Sequence, residues 1–154
     1  MPPHDHRLLI CKTRYSAIPV MSLQGVHDVQ AVEGTVNGDK FEQFIENTVL
    51  PIINPFDGSN PLSVVIMDNC SIHHIDRVAD LIKNTAHAKL MFLPPYSPDL
   101  MPLEEVFSKV KNILKQNDSL FQVCSAPRAF LAMAFSFIVS EDWIGYVHHS
   151  GYLH

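Results

Sequence analysis

Two places in this 154-residue sequence put carboxylates where they could do chemistry rather than only solvate a surface. Asp68 closes the apolar run Ser63-Val64-Val65-Ile66-Met67 and is followed by Asn69-Cys70-Ser71-Ile72-His73-His74. Ligands collect outside the carboxyl ends of strands in open α/β sheets, and an acid rooted there can hold a hard divalent cation. The competing reading is turn or cap chemistry, which Asp-Asn before a helix also serves. Glu104 and Glu105 follow the proline-stiffened loop Leu93–Leu100 and open a helix. Acids in a first turn favour the helix macrodipole and need no other purpose. Helical phase separates the two. Leu103, Val106, Phe107, Val110, Ile113 and Leu114 form one apolar face at about 100° per residue; Glu104 flanks it and Glu105 points nearly opposite. Glu104 is then the acid that can look into a site, and Glu105 is expected to be markedly more exposed. Ser108, Lys111 and Lys115 share the flank of Glu104. Those lysines are either solvated surface charges or a row able to hold a phosphate backbone.

Elements must exist to hold these groups. Leu8-Leu9-Ile10 reads as a short strand, and Tyr15–Ser22 and Val26–Val32 read as a hairpin joined at Gly25. Pro19 in the first arm predicts an edge position or a bulge, since proline donates nothing to a ladder. Asn37 is placed to cap a helix whose stripe is Phe41, Phe44, Ile45, Val49 and Ile52. Residues 54–61, with two prolines and a glycine, read as a loop. The run 63–67 does not alternate, which predicts a central strand buried on both faces beside parallel neighbours. Ile75, Val78, Ala79, Leu81 and Ile82 mark a helix, and Lys89–Leu93 a second buried strand, so that 63–93 is a βαβ unit. Two helices follow, over 102–116 and 127–140, each opened by a proline at a position where no N–H is required. Phe130, Phe135, Phe137 and Ile138 read as core residues of the last, with Trp143 and Tyr146 packing the tail back. Hairpin, βαβ unit and flanking helices make a mixed-sheet α/β domain.

The composition excludes several classes. The chain is 47% apolar and 18% charged, with a mean hydropathy of +0.08, the profile of a folded domain. Its length suits one domain with one core. No apolar run reaches the roughly 18 residues of a membrane helix, and the Met1-Pro2-Pro3-His4-Asp5-His6 start lacks the features of a signal peptide. Three scattered cysteines, Cys11, Cys70 and Cys124, fit a reducing compartment. A net charge of −5 argues against strong non-specific DNA binding by this chain alone. Nine histidines form no C-x-x-C or H-E-x-x-H pattern, so a structural zinc site is not expected, and Cys70 reads as a small half-buried thiol. Phosphate-binding glycine loops are absent.

The segments MDNCSIHH (67–74) and LPPYSPDLMPLEEVFSKVK (93–111) resemble the last two catalytic blocks of mariner-type transposases, members of the Asp-Asp-Glu superfamily with a ribonuclease-H-like fold. Asp68, Asn69 and His73 match the block of the second acid. Ser97, Pro98, Asp99, Leu100, Pro102 and Leu103 match the block before the third, and 35 residues lie between Asp68 and Glu104. The hairpin, the stretch Glu33-Gly34-Thr35-Val36-Asn37-Gly38 and the closing His149-Ser150-Gly151-Tyr152 are also similar to the family, so the likeness spans nearly the whole chain. Met101 departs from it, standing where the family's asparagine caps the glutamate helix; the expected loss is about 1 kcal/mol. The family's first aspartate, at the end of the first strand, also lacks a convincing counterpart. Asp5 lies in the wrong setting and Asp28 sits within the hairpin.

The resemblance implies a ribonuclease-H-like α/β domain lacking its first strand, over residues 1–154. It implies DNA strand cleavage and transfer with Mg²⁺ or Mn²⁺, the ions held by Asp68 and Glu104. Asn69 and His73 would stand behind them or face phosphate, and Lys111 and Lys115 would meet the DNA backbone. It further implies a nuclear location and leaves a homodimer of the full-length protein open. Such chemistry uses two cations about 3.5–4 Å apart, so a lost first acid predicts weak single-metal binding and very low activity. The rival readings are a non-catalytic remnant acting as a DNA- or protein-binding module, and an unrelated metal-dependent phosphoesterase. With the first strand missing, either 7–12 or 15–22 should pair beside Val64–Met67, or Val and Ile side chains should be left exposed there.

Overall fold

The computed structural model describes residues 7–10, 13–68, 75–95, 97–122 and 125–152. The chain divides into two compact units, Met1–Thr35 with Pro98–His154, and Val36–Ser97. The class is mixed α/β, compatible with a ribonuclease-H-like fold.

The first unit is built on an antiparallel meander, β1 (Arg7–Ile10), β2 (Thr13–Ser22) and β3 (Gly25–Glu33), in that spatial order. Gly25, at φ +108°, makes the return between β2 and β3, a conformation that side chains rarely adopt. Pro19 lies in the central strand, and the described residues of β1 pair with Thr13–Ser16. Among the described residues, proline therefore sits where β2 has a neighbour on one side alone, just before the irregularity at Val20/Met21. That is the edge-and-bulge setting expected from its missing N–H.

Four helices follow in this unit, α3 (Leu103–Gln116), α4 (Asp118–Gln122), α5 (Pro127–Ser136) and α6 (Ser140–His149). Leu8, Tyr15 and Ala17 of the meander are buried in one cluster with residues of α3, α5 and α6. Val106, Phe107, Val110 and Leu114 form the buried stripe of α3, at the spacing read from the sequence. Phe107 meets Phe135 of α5 edge to face, with centroids 5.7 Å apart. The expected helix over 127–140 is two helices instead. Phe137 N–H and Ile138 N–H bond back to Ala134 and Phe135 carbonyls, closing α5 with i→i+3 turns. Phe137 is thereby carried past the core and is 54% exposed, which corrects its assignment as a core residue, whereas Phe135 and Ile138 are buried. Trp143 and Tyr146 do pack the tail onto the body. The buried Trp143 Nε1 finds no acceptor among the described residues.

In the second unit α1 (Gly38–Phe44) runs on into a π-helical turn, Ile45–Val49. Asn37 Oδ1 accepts from Lys40 N–H at 2.9 Å, the cap read from the sequence. Asn37→Ala should cost about 1 kcal/mol, measured as a lower urea midpoint with unchanged slope. β4 (Val64–Met67), α2 (Ile75–Asp80) with its π-helical extension Leu81–Thr85, and β5 (Lys89–Phe92) form the βαβ unit. β4 and β5 pair in parallel, Val64 opposite Lys89 through Met67 opposite Phe92. Phe44, Ile45, Val49, Val78, Leu81, Ile82, Ala88 and Leu93 are buried.

The expected burial of both faces of β4 does not hold. Val64 and Ile66 are 40% and 44% exposed, and Met91 and Phe92 of β5 are also exposed. A run of apolar residues makes both faces apolar; covering them takes layers on both sides, and β4 has one strand partner among the described residues. Within this unit Val and Ile side chains of β4 are thus exposed, and within the first unit the described residues Arg7–Ile10 pair with β2. No single helix among the described residues is long and apolar enough to cross a membrane.

Candidate active site

Asp68 is placed by β4. Leu93 N–H bonds to Met67 O at 2.9 Å, so the ladder continues to the last residue of the strand and Asp68 emerges just beyond it. Its side chain is exposed. Asn69 and His73, expected to stand behind it, and Cys70 lie outside the described residues, as does Asp5. Asp28 is an exposed residue within β3 whose Oδ1 accepts from the adjacent Val29 N–H, not a strand-end acid.

Glu104 is placed by the start of α3. A 3₁₀ turn, Pro98–Leu100, leads into Met101 and Pro102, and neither supplies a side-chain cap. The helix starts on Pro102, and the first turn is closed by backbone bonds, Glu104 N–H to Met101 O (3.1 Å) and Glu105 N–H to Pro102 O (3.2 Å). The missing asparagine cap at 101 is thus met by a tighter turn.

Glu104 and Glu105 are both half-buried, which corrects the expectation that Glu105 would be markedly more exposed. The reason is α6. His149 Nδ1 lies 3.4 Å from Glu105 Oε1 and covers it, a contact that lies outside the phase of α3. Both acids line a pocket of about 370 Å³ with Asp99, Met101, His149 and Ser150.

At the other end of α6, Lys109 Nζ meets Asp142 Oδ2 at 2.6 Å, and the same oxygen accepts from Val139 N–H at 3.1 Å. Contacts 105–149 and 109–142 run in opposite senses along the two helices, so α6 lies antiparallel along the first turns of α3 and braces the helix that carries Glu104. Lys109 and the Val139 N–H both hold the Asp142 carboxyl below its usual range. A carboxyl lowered on folding contributes stability that is present above its unfolded pKa and lost as pH falls through the folded one. Stability should therefore drop as pH falls below about 4, by about 1 kcal/mol or less for a half-exposed pair. Thermal melts between neutral and acid pH should show this, and Asp142→Asn should remove that part of the slope.

The sequence reading missed Lys109, Asp142 and His149. An acid three residues into a helix is a capping signal that could have marked Asp142; the partner on α3 leaves no local trace. Lys111 and Lys115 are exposed, one turn apart on α3, as the phase argument placed them.

Asp68 belongs to the second unit and Glu104 to the first. Among the described residues no group of three or more His, Cys, Asp or Glu gathers as a metal site. The carboxylate oxygens of Asp68 and Glu104 are donors of the kind that a hard divalent cation takes.

A family model described as DDE superfamily endonuclease matches residues 7–123, which include Asp68 and Glu104. The chain belongs to the DDE superfamily endonucleases. No curated protein shows significant similarity to it. For a DDE endonuclease domain, activity of nuclease or transposase type and interaction with DNA follow, and such enzymes typically use divalent metals. In this DDE endonuclease the matched span ends at 123, so α5 and α6, with Asp142 and His149, lie beyond it.

Proposed function

We propose that this domain is the catalytic domain of a mariner-type transposase, cleaving and transferring DNA strands with Mg²⁺ or Mn²⁺ in the nucleus. The observation that carries the reading is the pair of acid-bearing blocks inside the matched span. Asp68 follows the last paired residue of a parallel strand, and Glu104 stands in the first turn of a helix after Ser97-Pro98-Asp99-Leu100. In this reading the two carboxylates share a divalent cation, which when bound supplies the charge that activates one oxygen and stabilises another in phosphoryl transfer. Asn69 and His73 support Asp68, and Lys111 and Lys115 meet the DNA backbone.

With the family's first aspartate unassigned in this sequence, two carboxylates bind a single ion weakly and activity is very low. The test combines Mn²⁺ binding, followed by electron paramagnetic resonance, with nicking of supercoiled plasmid. We expect weak Mn²⁺ binding lost in Asp68→Asn, and nicking near background. Binding no stronger in the wild type than in an Asp68→Asn/Glu104→Gln double variant would leave the non-catalytic remnant as the better reading. Robust nicking that disappears in Asp68→Asn would instead reveal a third ligand within the chain and overturn the two-carboxylate site.

A further inference from the structure

We infer that the groove between α3 and α6 receives an unpaired nucleobase of the DNA strand next to the reacting phosphate, an inference that rests on the endonuclease reading above. The groove has a volume of about 410 Å³ and is lined by Glu104, Glu105, Ser108, Lys109, Asn112 and Tyr146. Its α3 residues recur at one-turn spacing and extend two turns beyond Glu104, about 12 Å along the helix. A ligand reaching Glu104 along α3 passes over Ser108 and Asn112.

The charge distribution says which part of a nucleotide fits. Glu104 and Glu105 make one end acidic, and Lys109, the sole cation among the lining residues, is held at 2.6 Å by Asp142. A bare phosphate would meet two carboxylates and a cation already neutralised. The remaining lining groups are neutral and able to donate and accept: a hydroxyl, a carboxamide and a phenol. The Asn112 carboxamide offers a donor and an acceptor side by side, the arrangement that reads a base edge. Tyr146 is half-buried, and burial together with the negative charge of Asp142 pushes its phenol up, keeping the O–H protonated as a donor. Its ring adds an aromatic surface of the kind on which unstacked bases rest. A base inside a duplex hides both its faces and its pairing edge, so a groove offering an amide and an aromatic ring together suits an unpaired one.

Fluorescence anisotropy of a labelled single-stranded oligonucleotide, and of the same sequence as a duplex, tests this on the full chain in Mg²⁺ buffer. Single strand should bind more tightly than duplex, and Asn112→Ala should weaken it about tenfold, within the range for losing one base contact. Tyr146→Leu should act in the same direction. Because Tyr146 packs against the core, the exposed Asn112 is the variant that decides if Tyr146→Leu fails to fold. Unchanged binding by Asn112→Ala, equal affinity for duplex, or no DNA binding at all would overturn the inference. Mn²⁺ binding by the same preparations keeps the two readings apart. Mn²⁺ bound normally with DNA binding indifferent to Asn112 removes the groove alone; Asn112-dependent DNA binding without Mn²⁺ removes the metal site alone.

Discussion

Phe135→Ala is expected to lower the stability of the domain by about 3–5 kcal/mol, and the melting temperature by roughly 10 °C. Phe135 is fully buried, packs edge to face on Phe107, and shares its cluster with Val106, Val110, Leu131 and Ala134, none of them measurably exposed. Truncating it removes the transfer free energy of the ring and leaves a cavity where three helices and the meander meet. Such a loss is a large part of the roughly 5–15 kcal/mol that holds a domain together. Phe137→Ala, two residues on, provides the control. Its ring is 54% exposed, so the change should stay within about 0.5 kcal/mol. Chemical denaturation of both variants checks the pair, and equal losses would mean that α5 ends later than Phe137.

The second large effect separates the adjacent glutamates. Glu104→Gln should weaken Mn²⁺ binding about tenfold or more, and Glu105→Gln should leave it within about twofold. Burial does not distinguish them, since both are half-buried; helical phase does, with Glu104 on the flank of the apolar face of α3 and Glu105 nearly opposite it, where His149 of α6 reaches it. Titration followed by the Mn²⁺ signal would show the difference. Equal losses from both substitutions would make Glu105 a ligand too and would retire the helical-phase argument.

What could be read from residues alone follows the range over which the signals act. The Gly25 return, the Asn37 cap and the α3 stripe are local, written within a few residues, and the structure has each of them. The acid-bearing blocks were legible for the same reason, being short contiguous strings inside the family match. What failed depended on distant chain. The exposure of Val64 and Ile66 turns on which layers cover β4, and the cover over Glu105 comes from a histidine more than forty positions away. The break after Ser136 escaped because Phe137 and Ile138 continue the apolar pattern while the backbone turns away.

The open face of the β4–β5 pair has a practical consequence for anyone making this protein. Val-Val-Ile-Met and Leu-Met-Phe are short, β-prone stretches without charge or proline, and several of their side chains already face outward at 39–46% exposure. Segments of that kind, presented on a sheet that has two strands among the described residues, are templates for cross-β stacking between copies. Recovery from denaturant should therefore fall as protein concentration rises. A lysine in place of Ile66, whose side chain is 44% exposed, should act as a gatekeeper and raise the soluble yield.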